Sequence, residues 1–241
     1  PQMRLDKYLA ETAQCTRSEA KALLAKGRVQ VNGAVCKKGD TQLKETDTVA
    51  VDGQPLAYQQ FVYLMLNKPA GVITATEDKK LPTVVDLLPE KYQNRKIGPV
   101  GRLDRDVTGL VILTTDGEMA HRLISPRHKA EKRYRAICEG SLTQADADAF
   151  AAGIELSDFT ALPAKLEILS SGESESTADV VLTEGKFHQV KRMTEAVGKK
   201  VVYLKRISMG VLTLPDDLKK GECRQLTAEE EKRLKESVVI K

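Results

Sequence analysis

The sequence predicts an α+β fold: a small helical and hairpin module, then a larger domain with a mixed, mainly antiparallel sheet flanked by helices. Three observations lead there. Strand-like apolar runs outnumber helical patterns after residue 60 and do not alternate strictly with them. Breaker clusters such as Asn67-Lys68-Pro69-Ala70-Gly71 cut the chain into short segments. No G-x-G-x-x-G turn joins a strand to a helix, so a doubly wound nucleotide fold has no signature here.

Taken in order, Leu5, Tyr8, Leu9 and Ala13 fall on one face of a first helix. Thr16-Arg-Ser-Glu19 is a capping box that opens a second, whose Ala20, Leu23 and Leu24 form its apolar stripe and whose end is marked by Gly27. Val29 and Val31 lead into Asn32-Gly33, a strong hairpin signal, with Val35 answering on the far side. A short strand is expected at 48–51, and the polar stretch 53–60 reads as a linker between a module at 1–52 and a domain at 61–241. Strands are then expected at 61–66, 110–113, 166–169, 178–182 and 201–204, with Asp116-Gly117 as a turn closing the second. Thr143 caps a helix running to Gly153, another spans 188–197 before Gly198, and the acidic 229–231 cluster opens a terminal helix.

The 241 residues suffice for one large or two modest domains. No apolar run reaches the roughly 18–20 residues of a membrane helix, and no signal-peptide pattern is present. Four cysteines without a CxxC pair and three dispersed histidines offer no metal constellation. A cytoplasmic, metal-free protein is therefore expected.

Net charge is only +4, but its distribution is uneven. Residues 119–135 carry +5 and residues 185–206 carry +6, which leaves −7 on the remaining 202. Tyr134, Phe187 and Tyr203 are interleaved with these cations. Positive charge beside stacking rings suits a nucleic-acid backbone and its bases.

Several chemistries lack their motifs: no Walker A lysine loop occurs and no G-x-S-x-G elbow. What remains is Gly101-Arg102-Leu103-Asp104-Arg105-Asp106-Val107-Thr108-Gly109-Leu110, a charged loop leading into a buried strand. A carboxylate at the mouth of a buried strand is suited to acid or nucleophile chemistry. On the residues alone, a surface ion-pair loop formed by Arg102, Asp104, Arg105 and Asp106 is the commoner reading of such a pattern.

Two resemblances decide between these alternatives. Arg4-Leu5-Asp6-Lys7-x-Leu9, Thr16-Arg17-Ser18 and Gly27-Arg28-Val29-x-Val31-Asn32-Gly33 resemble the alpha-L RNA-binding domain shared by a small-subunit ribosomal protein, tyrosyl-tRNA synthetases and several rRNA-modifying enzymes. Gly101-Arg-Leu-Asp104 with Thr108-Gly109-Leu110 and Thr115-Asp116-Gly117 is similar to the signature of the pseudouridine synthases, and more narrowly of the RsuA family of rRNA enzymes. The likeness continues through Leu66-Asn67-Lys68-Pro69-x-Gly71, His121-Arg122-Leu123-x-x-Pro126, Glu131-Lys132-x-Tyr134, Pro163-Ala164 and Glu184-Gly185-x-x-His188-Gln189-Val190-Lys191-Arg192-Met193.

The resemblance implies a cofactor-free isomerisation of a uridine in small-subunit (16S) ribosomal RNA. Asp104 corresponds to the family's essential carboxylate, Tyr134 to its base-stacking tyrosine and Arg192 to the cation paired with the aspartate. Arg102, Leu204, Lys68, Lys191 and His188 are implied around the substrate. Arg4, Lys7, Arg17, Lys21 and Arg28 of the module, with Arg122 and Arg127, are implied on the RNA. Partners would be ribosomal RNA or an assembly intermediate, and the protein a monomer. One departure stands out: the family's threonine three residues past the aspartate is Val107 here, with Thr108 following. A large-subunit (23S) target and a non-catalytic RNA-binding or ribosome-assembly protein remain as alternatives; an rRNA methyltransferase is disfavoured by the missing glycine-rich loop.

Overall fold

The structure is a computed structural model that describes residues 3–13, 15–57, 61–93 and 95–238. It divides into two compact units, one of residues 1–62 with 88–96 and the other of residues 63–87 with 97–241.

In the first unit, β1 (Met3–Arg4), α1 (Leu5–Thr12), α2 (Arg17–Ala25), β2 (Val29–Val31), β3 (Ala34–Val35), β4 (Gln42–Leu43), β5 (Val49–Val51) and β6 (Gln54–Leu56) follow in order. Thr16 caps α2 as its sequence promises: its hydroxyl accepts from the Glu19 N–H, and the Glu19 carboxylate accepts from the Thr16 N–H. Asn32 and Gly33 both take positive φ, 50° and 81°, so a two-residue turn joins β2 to β3 with Val31 opposite Ala34. The core collects Leu5 and Leu9 of α1, Ala20 and Leu24 of α2, and Val29, Leu43 and Val49 of the strands. Burial of each large aliphatic side chain contributes about 1.5–3 kcal/mol.

Two features of this unit correct the sequence expectation. The stretch expected as a linker is in part β6, which pairs with β5 in a four-stranded sheet; Tyr58 to Gln60 lie outside the described residues. Residues 88–96, distant in sequence, also belong here and carry α3 (Glu90–Gln93). Arg95 donates to the carbonyls of Ala10 and Glu11, satisfying acceptors that the last turn of α1 leaves open.

The second unit is built on a nine-stranded sheet. Its elements are β7 (Tyr63–Lys68), β8 (Gly98–Pro99), β9 (Thr108–Thr114), α4 (Gly117–Ile124), β10 (Lys132–Glu139), α5 (Gln144–Ala152), β11 (Lys165–Ser171), β12 (Glu175–Leu182), α6 (Gln189–Ala196), β13 (Val201–Met209), β14 (Leu212–Thr213), β15 (Cys223–Gln225) and α7 (Ala228–Ser237). The main path runs β11-β12-β10-β13-β9-β7-β15, with β14 on β13 and β8 on β9. Among the described strand pairs of this sheet only β13–β9 is parallel, so the sheet is mixed and mainly antiparallel. β7 and β9 are buried at every residue, which accounts for their continuous apolar runs.

Two expectations change in this unit. Asp116 does not close a simple turn: its carboxylate accepts from the Met119 N–H and caps α4, while its other oxygen accepts from the Tyr63 hydroxyl at 2.7 Å. β10 was not anticipated, because a run rich in Lys and Arg hides its period of two. Tyr134, Ala136 and Cys138 are buried on one face, while Arg133 and Arg135 on the other pair with Glu167 and Asp179.

Candidate active site

The Asp104 loop precedes β9 and is held from behind. A tight turn closes it, the Val107 N–H donating to the Asp104 carbonyl at 3.1 Å. Thr74 bonds both the N–H and the carbonyl of Leu103. The Lys68 ammonium, fully buried, donates to the carbonyls of Pro69, Val72 and Arg105 at 2.9, 2.6 and 3.1 Å. Burial pushes its pKa down to about 8, against the pull of Asp106 and Asp104. The breaker cluster at 67–71 is thus the clamp under the loop. Lys68 is not among the residues lining the cleft, so its expected place around the substrate is corrected: three carbonyls have taken its donors.

In front of the loop lies a cleft of about 560 Å³, a volume within the range of small-ligand pockets. Asp104 lines it, with its Oδ2 3.3 Å from Lys191 Nζ and 3.4 Å from His188 Nε2. Lys191 also bonds Asp106 at 2.8 and 3.0 Å, so one ammonium joins both carboxylates of the loop. Burial works against the charge of Lys191, but the hydrogen bond to Asp106 and the charge of Asp104 outweigh it and raise its pKa. The Lys191 hydrogen bond in turn holds the Asp106 carboxyl below its ordinary range.

Arg192 is not the partner of Asp104. Its guanidinium pairs with Asp158, and it sits over the Phe159 ring, 5.3 Å from the centroid. Neighbouring residues on a helix point about 100° apart, and here Lys191 faces the loop while Arg192 is turned towards Asp158. Arg192 instead ties α6 to the 157–159 segment.

The other walls come from distant parts of the chain. Tyr134 on β10 and Leu204 on β13 are buried and line the cleft, and Arg102 stands exposed at its rim. His188 adopts a left-handed backbone, φ 49°, and stacks on Phe187 with ring centroids 3.7 Å apart. Val107 is buried in the wall, and the hydroxyl that the departure displaces appears at Thr108, 3.1 Å from the Tyr203 hydroxyl. Arg206, Lys132 and Lys129 also line the cleft and were not singled out as site residues. Arg206 had a legible signal: it lies two residues past Leu204 in a strand, hence on the same face.

Of the expected RNA-contacting cations, Arg4 pairs with Asp6, Lys7 with Glu11, Arg28 with Asp52 and Arg122 with Glu118. Arg17 and Lys21 stand exposed one helical turn apart on α2, and Arg127 is exposed after α4. Neither Arg122 nor Arg127 lines the cleft.

Comparison with known proteins defines the class. The RNA pseudouridylate synthase family matches residues 62–196, and the S4 domain family matches residues 3–49. A solved structure described as a pseudouridylate synthase superposes with a TM-score of 0.67 at 36% identity, covering 96% of this chain and 99% of that one. The chain belongs to the RNA pseudouridylate synthase family and is an enzyme of that class, with an S4 RNA-binding domain ahead of the catalytic one. Within the family it is similar to the ribosomal small subunit pseudouridine synthase A of Escherichia coli, 42% identical over 231 residues (95% of this chain and 98% of that protein). The protein of the same name from Vibrio cholerae is 43% identical over 233 residues, 95% of this chain and 97% of that protein. An RNA pseudouridine synthase of Aquifex aeolicus is 42% identical over 237 residues, 98% of each chain.

Proposed function

We propose that this enzyme converts a uridine of small-subunit ribosomal RNA to pseudouridine, with Asp104 as the reacting carboxylate and no cofactor. The observation that carries the reading is the position of Asp104 in the cleft, between Lys191 and His188 and together with Tyr134 and Leu204. Identity of 42–43% to small-subunit enzymes over 95% of the chain supports the choice of RNA.

A base inside a stack is out of reach of such a carboxylate, so the target nucleotide is extruded into the cleft at a cost of a few kcal/mol. Tyr134 stacks on the flipped base and Leu204 presents an apolar surface to it. Asp104 acts at the anomeric carbon, by addition or by assisting elimination, and the uracil turns and rejoins through carbon 5. Lys191 aligns Asp104 and shares its charge with Asp106, the role the sequence placed on Arg192. The exposed cations at the rim, Arg102 among them, neutralise the displaced backbone.

The test is incubation with unmodified small-subunit and large-subunit rRNA, followed by carbodiimide primer extension. One new stop on small-subunit rRNA is expected, and it should vanish with Asp104→Asn. A stop confined to large-subunit rRNA would move the target, and a stop that survives Asp104→Asn would overturn the assignment of the carboxylate.

A further inference from the structure

We propose that Arg206 is a catalytic residue whose guanidinium takes up the negative charge of the uracil while it is detached from the ribose, with Lys132 as a second cation beside it. This rests on reading the cleft as a uridine site and extends it to the leaving base.

Arg206 is 2% exposed, and its Nε donates to the Leu110 carbonyl at 2.9 Å. Its Nη2 is buried without a hydrogen-bond partner among the described residues. Leaving a charged donor buried and unsatisfied costs several kcal/mol, so the arrangement fits a site whose ligand supplies the missing acceptor. The ladder fixes the face: Arg206 is the register partner of Tyr134 across β10–β13 and lies two residues beyond Leu204, and all three line the cleft.

Lys132 lies two residues before Tyr134 on the same face of β10, where its ammonium donates to the carbonyls of Ala130 and Thr183, both at 3.2 Å. Burial, and then the charge of Arg206, lower its pKa. Acids in the cleft are engaged elsewhere. Asp104 faces Lys191 and His188, while Glu184 accepts from Gln189 and from the Leu162 N–H. Two cations thus sit together without a carboxylate partner among the described residues. The depth of Arg206 selects its ligand: a phosphate stays with the exposed rim cations, whereas a flipped base reaches the floor.

The chemistry balances without a co-reactant. The C1′–N1 bond breaks heterolytically and both electrons leave with the base, giving a uracil anion whose charge spreads over N1 and the two carbonyl oxygens. Arg206 donates a charge-assisted hydrogen bond to one of those oxygens. After the base turns, C5 bonds to C1′, the C5 proton departs, N1 gains a proton and the charge is discharged.

The experiment is single-turnover kinetics of wild type, Arg206→Gln and Arg206→Lys on rRNA transcripts containing uridine or 5-fluorouridine. Loss of the original nucleoside is followed by chromatography of nuclease digests. Fluorine stabilises the departing anion, so it relieves the need for the guanidinium. On uridine, Arg206→Gln should lose about 100-fold in rate at saturating enzyme, with RNA affinity unchanged and Arg206→Lys intermediate. On 5-fluorouridine the loss should be about tenfold smaller. The comparison of substrates is made within one preparation, so partial unfolding cancels. Equal losses on both substrates would overturn the proposal, as would weakened RNA binding with an unchanged saturating rate. Wild type that leaves both substrates intact would instead overturn the uridine reading itself.

Discussion

Lys191 and Arg192 are adjacent cations in one motif, and only one of them touches the Asp104 loop. Lys191 bridges two carboxylates; Asp106 is exposed, but the partly buried Asp104 would lose its ammonium partner, which costs about 2–3 kcal/mol. Lys191→Met should therefore slow single turnover by about 100-fold or more. Arg192→Met should leave the rate within about threefold and chiefly loosen the 157–159 segment, seen as faster hydrogen exchange there. The opposite ranking in a side-by-side kinetic comparison would restore Arg192 to the site. At this scale the motifs carried Asp104, Tyr134 and His188, because each stands among distinct residue types, and Leu204 followed only from the family resemblance. The sequence could not separate two neighbouring cations, since which one faces the loop is set by the helix phase. Nor did it show that Lys68 faces inward, because a buried lysine is spelled like an exposed one.

Secondary structure placed those side chains, and one close approach governs the geometry. β9 and β13 are the parallel pair, with Gly109 beside Arg206. Gly109 has φ 107°, and a Cβ there would sit 2.2 Å from the Arg206 carbonyl oxygen. Gly109→Ala must therefore strain the backbone and push the strands apart, destabilising the protein by about 3 kcal/mol or more. A thermal melt measures this, and a variant as stable as the parent would show that the strands can separate freely. The capping box at Thr16 and the cap at Thr143 were legible because they are local hydrogen-bonded patterns. β10 was not, because its charged face is neutralised by Asp179 and Glu167, residues more than thirty positions away. Likewise β6 looked like a polar linker until β5 supplied its pairing partner.

For the whole molecule, the small net charge hides concentrated positive segments, and the acids paired with several cations refine which ones remain for RNA. Arg28 is held by Asp52, whereas Arg17 and Lys21 are exposed on α2. Each phosphate contact contributes roughly 0.7–0.9 to the logarithmic salt slope. An Arg17→Gln/Lys21→Gln variant should thus bind rRNA less tightly with a slope lower by about 1.5, and Arg28→Gln should change it less. Filter binding across salt concentrations checks this; an unchanged slope for the double variant would remove α2 from the RNA interface.

By itself the sequence determined the order of two domains, the α+β class, the enzyme family and the loop that carries Asp104. Those properties reside in local patterns: caps, turns, alternation and short motifs read along the chain. Only the tertiary structure decided that Lys191 meets Asp104, that Lys68 is a clamp, and that Arg206 lies opposite Tyr134 with its Nη2 unpartnered among the described residues. Those facts depend on the Asp104 loop, β10, α6 and β13 converging on one cleft from positions up to about a hundred residues apart. Burial and pairing arise only where distant segments meet, so no local pattern can state them.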